Sequence, residues 1–188
     1  MKKIFSLLIL PIVLILTFST LAMAENVLRL GFDLNGTIRE TYSSYTLGSA
    51  DVNSGFTIGY EYVNFTNDTF GWGVGVEFPM ERSLVTNSAA TFNCTPIYVV
   101  GYICSSGETK AFLAIRGGLN ILNGNDSFRG VGNTLGPGAY CAFGGGFYFN
   151  ENLRCELAYI LNRGTISNGY VIHDLSYTRI GIQLGYGF

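Results

Sequence analysis

The single histidine of this chain, His173, lies in the run YVIHDLSY with Asp174 and Ser176 just behind it. A base, a carboxylate and a hydroxyl make a hydrolytic site only when the base can reach the nucleophile. Residues three apart on an extended strand face opposite ways, so His173 and Ser176 point away from each other. His173 is therefore expected at a strand end without a catalytic role, and no enzyme activity is expected. The four cysteines, Cys94, Cys104, Cys141 and Cys155, form neither a CxxC pair nor a Cys/His cluster. They give no metal signature and imply no cofactor; Cys141 and Cys155, on a strand face with apolar neighbours, read as small hydrophobes. The run GWGVG lacks the strand–turn–helix setting of a dinucleotide site, and the Asn-x-Thr triplets at Asn64 and Asn93 reflect polar loop composition.

What remains is a set of polar residues that no motif explains. Arg29, Asp33, Glu61, Glu77, Arg116, Arg154, Glu156, Arg179 and Gln183 each occupy a position whose sequence neighbours on either side are mainly apolar. Charges gathered in one enclosure must pair, because an uncompensated charge there is costly. The elements decide whether an enclosure exists.

Period-two alternation runs through most of the chain. Leu28, Leu30 and Phe32 alternate with Arg29, Gly31 and Asp33, and Phe56, Ile58 and Tyr60 with Thr57, Gly59 and Glu61. Phe70, Trp72, Val74, Val76 and Phe78 alternate with glycines and Glu77. Further alternating segments lie at 110–121, 138–149 and 153–162, and a last one ends RIGIQLGYGF. Residues 96–104 are strand-like, but both of their faces are apolar, so their phase is open. Eight strands result. Their connections alternate in length: 38–52, 80–95, 122–137 and 163–173 are long and polar, whereas 64–69, 105–109 and 150–152 are short. An up-and-down membrane barrel predicts this schedule, with long loops outside and short turns in the periplasm.

The N-terminal residues point to the same place. Lys2 and Lys3 precede an apolar run, and Ala22-Met23-Ala24 fits signal-peptidase cleavage, so residues 1–24 are expected to be a cleaved signal peptide and 25–188 the barrel domain. Of 11 basic residues two lie in the signal, whereas all 13 acids follow it, leaving a formal charge of −4. That gives no basic footprint for nucleic acid. Only 13% of residues are charged, yet after residue 24 no apolar run approaches the ~20 residues of a membrane helix. An apolar exported chain without spanning helices must close a sheet on itself. The glycine-rich parity belongs inside a narrow barrel, so the large apolar side chains face something other than water, which argues against a soluble eight-stranded barrel.

The whole stretch 25–188 resembles the small eight-stranded outer-membrane proteins of the OmpA transmembrane-domain and OmpX type. The resemblance rests on the strand and loop schedule and on the terminal strand ending in Phe188. It implies an all-β, eight-stranded antiparallel up-and-down transmembrane β-barrel in the bacterial outer membrane, with Phe188 as the signal read by the insertion machinery. It further implies contact with outer-membrane lipids and lipopolysaccharide, and a structural or adhesive role with four external loops. The charged set is expected to plug the lumen; a narrow pore or a rim-located lipid-modifying enzyme are the alternatives. Arg179 is expected between Asp33 and Glu156, with Arg116 and Glu61 completing the set from the far wall. Trp72, Phe70, Tyr62, Phe147, Phe149, Tyr186 and Phe188 are expected as an interfacial girdle at the short-turn end. The loop aromatics Tyr42, Tyr45, Phe92, Phe128 and Tyr170 are candidates for contacting a partner or packing on the rim.

Overall fold

A computed structural model describes residues 24–106 and 110–188. The expected signal peptide lies outside the described residues except for Ala24, which begins the first strand. The β segments are β1 (Ala24–Asp33), β2 (Gly36–Tyr42), β3 (Tyr45–Val52), β4 (Gly55–Phe65), β5 (Phe70–Pro79), β6 (Arg82–Ser83), β7 (Thr91–Cys104), β8 (Ala111–Gly124), β9 (Thr134–Gly136), β10 (Gly138–Tyr148), β11 (Leu153–Ser167) and β12 (Ile172–Gly187). One short helix, α1 (Asp126–Arg129), lies between β8 and β9.

All pairings are antiparallel, and β12 joins both β11 and β1, closing the ring β12-β1-β4-β5-β7-β8-β10-β11 into an eight-stranded barrel. Closure removes the open edges that lipid would not tolerate. The segments expected as long loops are partly strand. β2 continues β1 along β12, and β3 continues the neighbouring wall of β4 by pairing with β2. β11 and β12 are 15 and 16 residues long, more than the 9–11 a tilted strand needs to cross a bilayer, so they also rise beyond it.

Strand alternation sorts most of the side chains. Leu30, Ile58, Trp72, Val99, Ile115, Phe143, Leu157 and Ile182, one from each barrel strand, are all exposed. An exposed apolar surface that circles the molecule is a membrane-facing surface, far larger than the patches soluble monomers carry. β7 resolves the phase of 96–104: Tyr98, Val100, Tyr102 and Cys104 are buried in the lumen, whereas Ile97, Val99 and Ile103 face out. Of the seven girdle aromatics six are well exposed; Tyr62, on the same parity as Ile58, is only 9% exposed.

Above the membrane the polarity inverts. Ile38, Val52, Phe92, Cys94, Leu122, Leu175 and Tyr177 form an apolar cluster inside the extended barrel. There the outer face meets water, so the inside-apolar rule of a soluble sheet returns. Phe92 and Phe128 stack within this cap at 4.7 Å, while Tyr45 and Tyr170 project outward.

Candidate functional site

The lumen of the membrane-spanning section is the candidate site. Glycines create its room: a Cβ at Gly75 would sit 2.8 Å from Cγ of Glu61, and one at Gly144 would sit 2.2 Å from Oε1 of Glu156. Gly55 likewise yields space to the Arg82 guanidinium. The glycine-rich inner parity thus serves as a set of slots for long charged side chains.

The charged groups fall into two layers. In the layer nearer the short turns, Glu61 accepts from Arg29, from Nε of Arg116 at 2.8 Å, from Arg154 at 3.2 Å, and from the Tyr98 and Tyr102 hydroxyls. Arg116 also donates both terminal nitrogens to Glu156, at 2.5 and 2.8 Å, and Arg29 reaches Glu156 at 3.3 Å. Side chains from β1, β4, β7, β8 and β11 therefore converge on one point, and the Arg116 side chain is fully covered. Such two-pronged pairing fixes geometry as well as charge. Arg154 closes this layer toward the short-turn mouth, with its guanidinium 4.7 Å from the Tyr102 ring centroid and 3.8 Å from Glu25.

In the outer layer Asp33 lies 2.7 Å from Arg82, 3.0 Å from Nε of Arg179 and 2.8 Å from the Thr57 hydroxyl. Glu77 stands between the layers, 3.2 Å from Arg29 and 3.8 Å from Arg179. This layer is less tightly made. Arg179, Glu77, Tyr140, Asn162 and Gln183 all carry buried polar atoms with no hydrogen-bonding protein partner. Five arginines (29, 82, 116, 154 and 179) face four buried carboxylates (33, 61, 77 and 156), with Glu25 at the mouth as the fifth. The interior is close to neutral by pairing.

Arg29, Asp33, Glu61, Glu77, Arg116, Arg154, Glu156, Arg179 and Gln183 are all buried in the lumen. Asp33 does lie against Arg179, but the rest of the pairing differs from the expectation, because Arg116 and Glu61 belong to the other layer and do not meet Arg179. Glu156 is not a partner of Arg179; it holds Arg116 and Arg29 instead. Glu156 registers with Gln183, four residues along β12 from Arg179, so strand register carries it into the other layer. Sequence reasoning also missed Arg82, which lies on β6 inside a segment taken as loop, and the tyrosines of β7. Phe188 ends the chain beside β1, exchanging backbone hydrogen bonds with Asn26.

Elsewhere, His173 is bound to Glu40 through Nδ1 and lies 5.4 Å from the Tyr42 ring, while Ser176 falls on the opposite face of β12. Among the described residues no group of three His, Cys, Asp or Glu side chains is placed to hold a metal.

No protein-family model matches this chain, nor does the sequence of any curated protein. Solved structures do. The outer membrane protein OprG from Pseudomonas aeruginosa is 13% identical, with 88% of this chain and 96% of that one covered at a TM-score of 0.54. The outer membrane protein AlkL, solved by solid-state NMR in lipid bilayers, gives 13% identity, 88% and 90% coverage and 0.55. Neisserial surface protein A gives 15%, 86% and 97%, and 0.51. With the closed ring and its apolar outer band, these likenesses show that the chain has the fold of the outer-membrane β-barrel proteins.

Proposed function

We propose that this chain is a structural protein of the bacterial outer membrane whose lumen is plugged and whose strand extensions and loops form an external surface. One observation carries the reading: the fully covered Arg116 spans the lumen from β8 to Glu61 on β4 and Glu156 on β11. An eight-stranded barrel has an interior about as wide as its side chains, and here paired side chains occupy it. In this reading residues 1–24 direct export and are removed, and Phe188 presents the final strand to the insertion machinery. The bilayer-facing band contacts outer-membrane lipids, and Tyr45 and Tyr170 offer contacts for a surface partner in membrane integrity or adhesion. Liposome swelling with the refolded protein tests the plug. Vesicles are expected to take up neither arabinose nor small amino acids faster than protein-free controls; uptake would favour the narrow pore. Fractionation of expressing cells tests the location, and recovery in the soluble periplasm would refute it.

A further inference from the structure

Every lumen arginine faces a carboxylate, and Arg129 pairs with Asp126. Among the described residues that leaves two arginines with no carboxylate partner, Arg39 and Arg163, both exposed. They are not scattered. Ser176 on β12 is in register with Arg39 on β2 and with Arg163 on β11. The two arginines thus flank one hydroxyl residue on three adjacent strands, with backbones about 10 Å apart. Alternation places all three on the outer face, because Ile38, Asn162, Leu175 and Tyr177 beside them are buried.

Their height matters as much as their spacing. The outward row next below is Leu161, Thr178 and Thr37, and Ile180 and Leu34 below it are exposed members of the apolar band. Along β12 the outward apolar residues Leu184, Ile182 and Ile180 give way to Thr178 and Ser176, so Ser176 and its two register partners lie past the apolar band toward the long loops, where lipid headgroups are expected. The nearest outward carboxylates by register, Asp174 and Asp51, make no ion pair with either guanidinium.

We propose that Arg39, Ser176 and Arg163 form a clamp for the phosphate of a lipid headgroup in the outer leaflet. Guanidinium forks match phosphate oxygens in pairs, and two arginines flanking one hydroxyl residue suit a phosphorylated headgroup held between them. The clamp rests on the outer-membrane reading but is independent of whether the lumen conducts.

The test uses the full chain refolded in phosphatidylcholine vesicles doped with diphosphorylated lipid A, then extracted in mild detergent for native mass spectrometry. Wild type is expected to retain lipid A, and R39Q/R163Q to retain it roughly 30-fold less, at about one kcal/mol for each arginine near the surface. R129Q, at a half-buried arginine that pairs with Asp126 away from this row, serves as the control and is expected to match wild type. R39K/R163K is expected to keep part of the retention, since charge persists without the fork. Dephosphorylated lipid A is expected not to be retained, and millimolar inorganic phosphate not to displace the lipid. Equal retention by R39Q/R163Q overturns the clamp. Equal retention of the dephosphorylated lipid overturns its phosphate chemistry, and displacement by inorganic phosphate overturns its lipid specificity.

Discussion

Replacing Arg116 by methionine keeps most of the side-chain length and removes the cation that joins Glu61 to Glu156. Arg116 makes four hydrogen bonds, to Glu61, twice to Glu156 and to the Tyr102 hydroxyl, from a fully covered side chain. Breaking a buried pair from one side costs about 3–5 kcal/mol, because the partner's charge stays behind. Glu61 would still hold Arg29 and Arg154, and Glu156 would keep Arg29 at 3.3 Å, so the lower end, about 3 kcal/mol, is expected. With urea slopes of roughly 1–3 kcal/mol per molar, the midpoint falls by about 1–3 M. Trp72, the sole tryptophan, is an exposed residue of the membrane-facing band and reports unfolding in vesicles by its fluorescence. Adding Glu156→Gln removes the carboxylate left with only its long Arg29 contact, and the double variant is expected to recover at least about 1 kcal/mol over Arg116→Met alone. A loss below about 1 kcal/mol, or no recovery in the double variant, would refute the view that Arg116 locks the lumen.

Arg179→Met is expected to cost less than Arg116→Met in the same urea assay, because Arg179 has carboxylates at 3.0 and 3.8 Å but no aligned hydrogen bond. Gly75→Leu forces carbon against Tyr98 and Glu61 and is expected to cost more than the 1–3 kcal/mol of ordinary overpacking, or to block refolding on heat-shift gels. Gly117→Leu, with open space beyond its Cα, is expected to refold normally on the same gels. Ile182→Arg, in the membrane-facing band of β12, is expected to lose about 2–4 kcal/mol in vesicles, and a neutral result would argue against a lipid-facing position.

Where side-chain size and charge alternate cleanly, as with Phe70 to Phe78, the sequence alone placed the strand and its inner face. At 96–104 it placed the strand but left the inner face open, because hydropathy counts Tyr98 and Tyr102 as apolar although their hydroxyls bind Glu61. A tyrosine is an apolar body with a polar tip, and only its partner shows which half decides its place. The segment 38–52 looked like loop because its outward residues Arg39, Thr41, Ser49 and Asp51 are polar, which is the pattern a strand must have once it leaves the bilayer. Arg82 was invisible, since the segment around it carries no alternation. The nine lumen residues were legible by parity, but their partners were not. Height along each strand ignores register, and register sends Glu156 to Arg116 and leaves Arg179 with Asp33 and Glu77.

The plugged lumen is tested most directly by current through a planar bilayer holding the refolded wild-type protein, beside an Arg116→Ala/Glu156→Ala variant shown to be folded. Wild type is expected to give no resolved steps, because Arg116, Glu61 and Glu156 close the lumen from opposite walls. The variant, with both side chains cut back, is expected to give steps. Sustained stepwise conductance by wild type, at a level the variant does not raise, would contradict the plug.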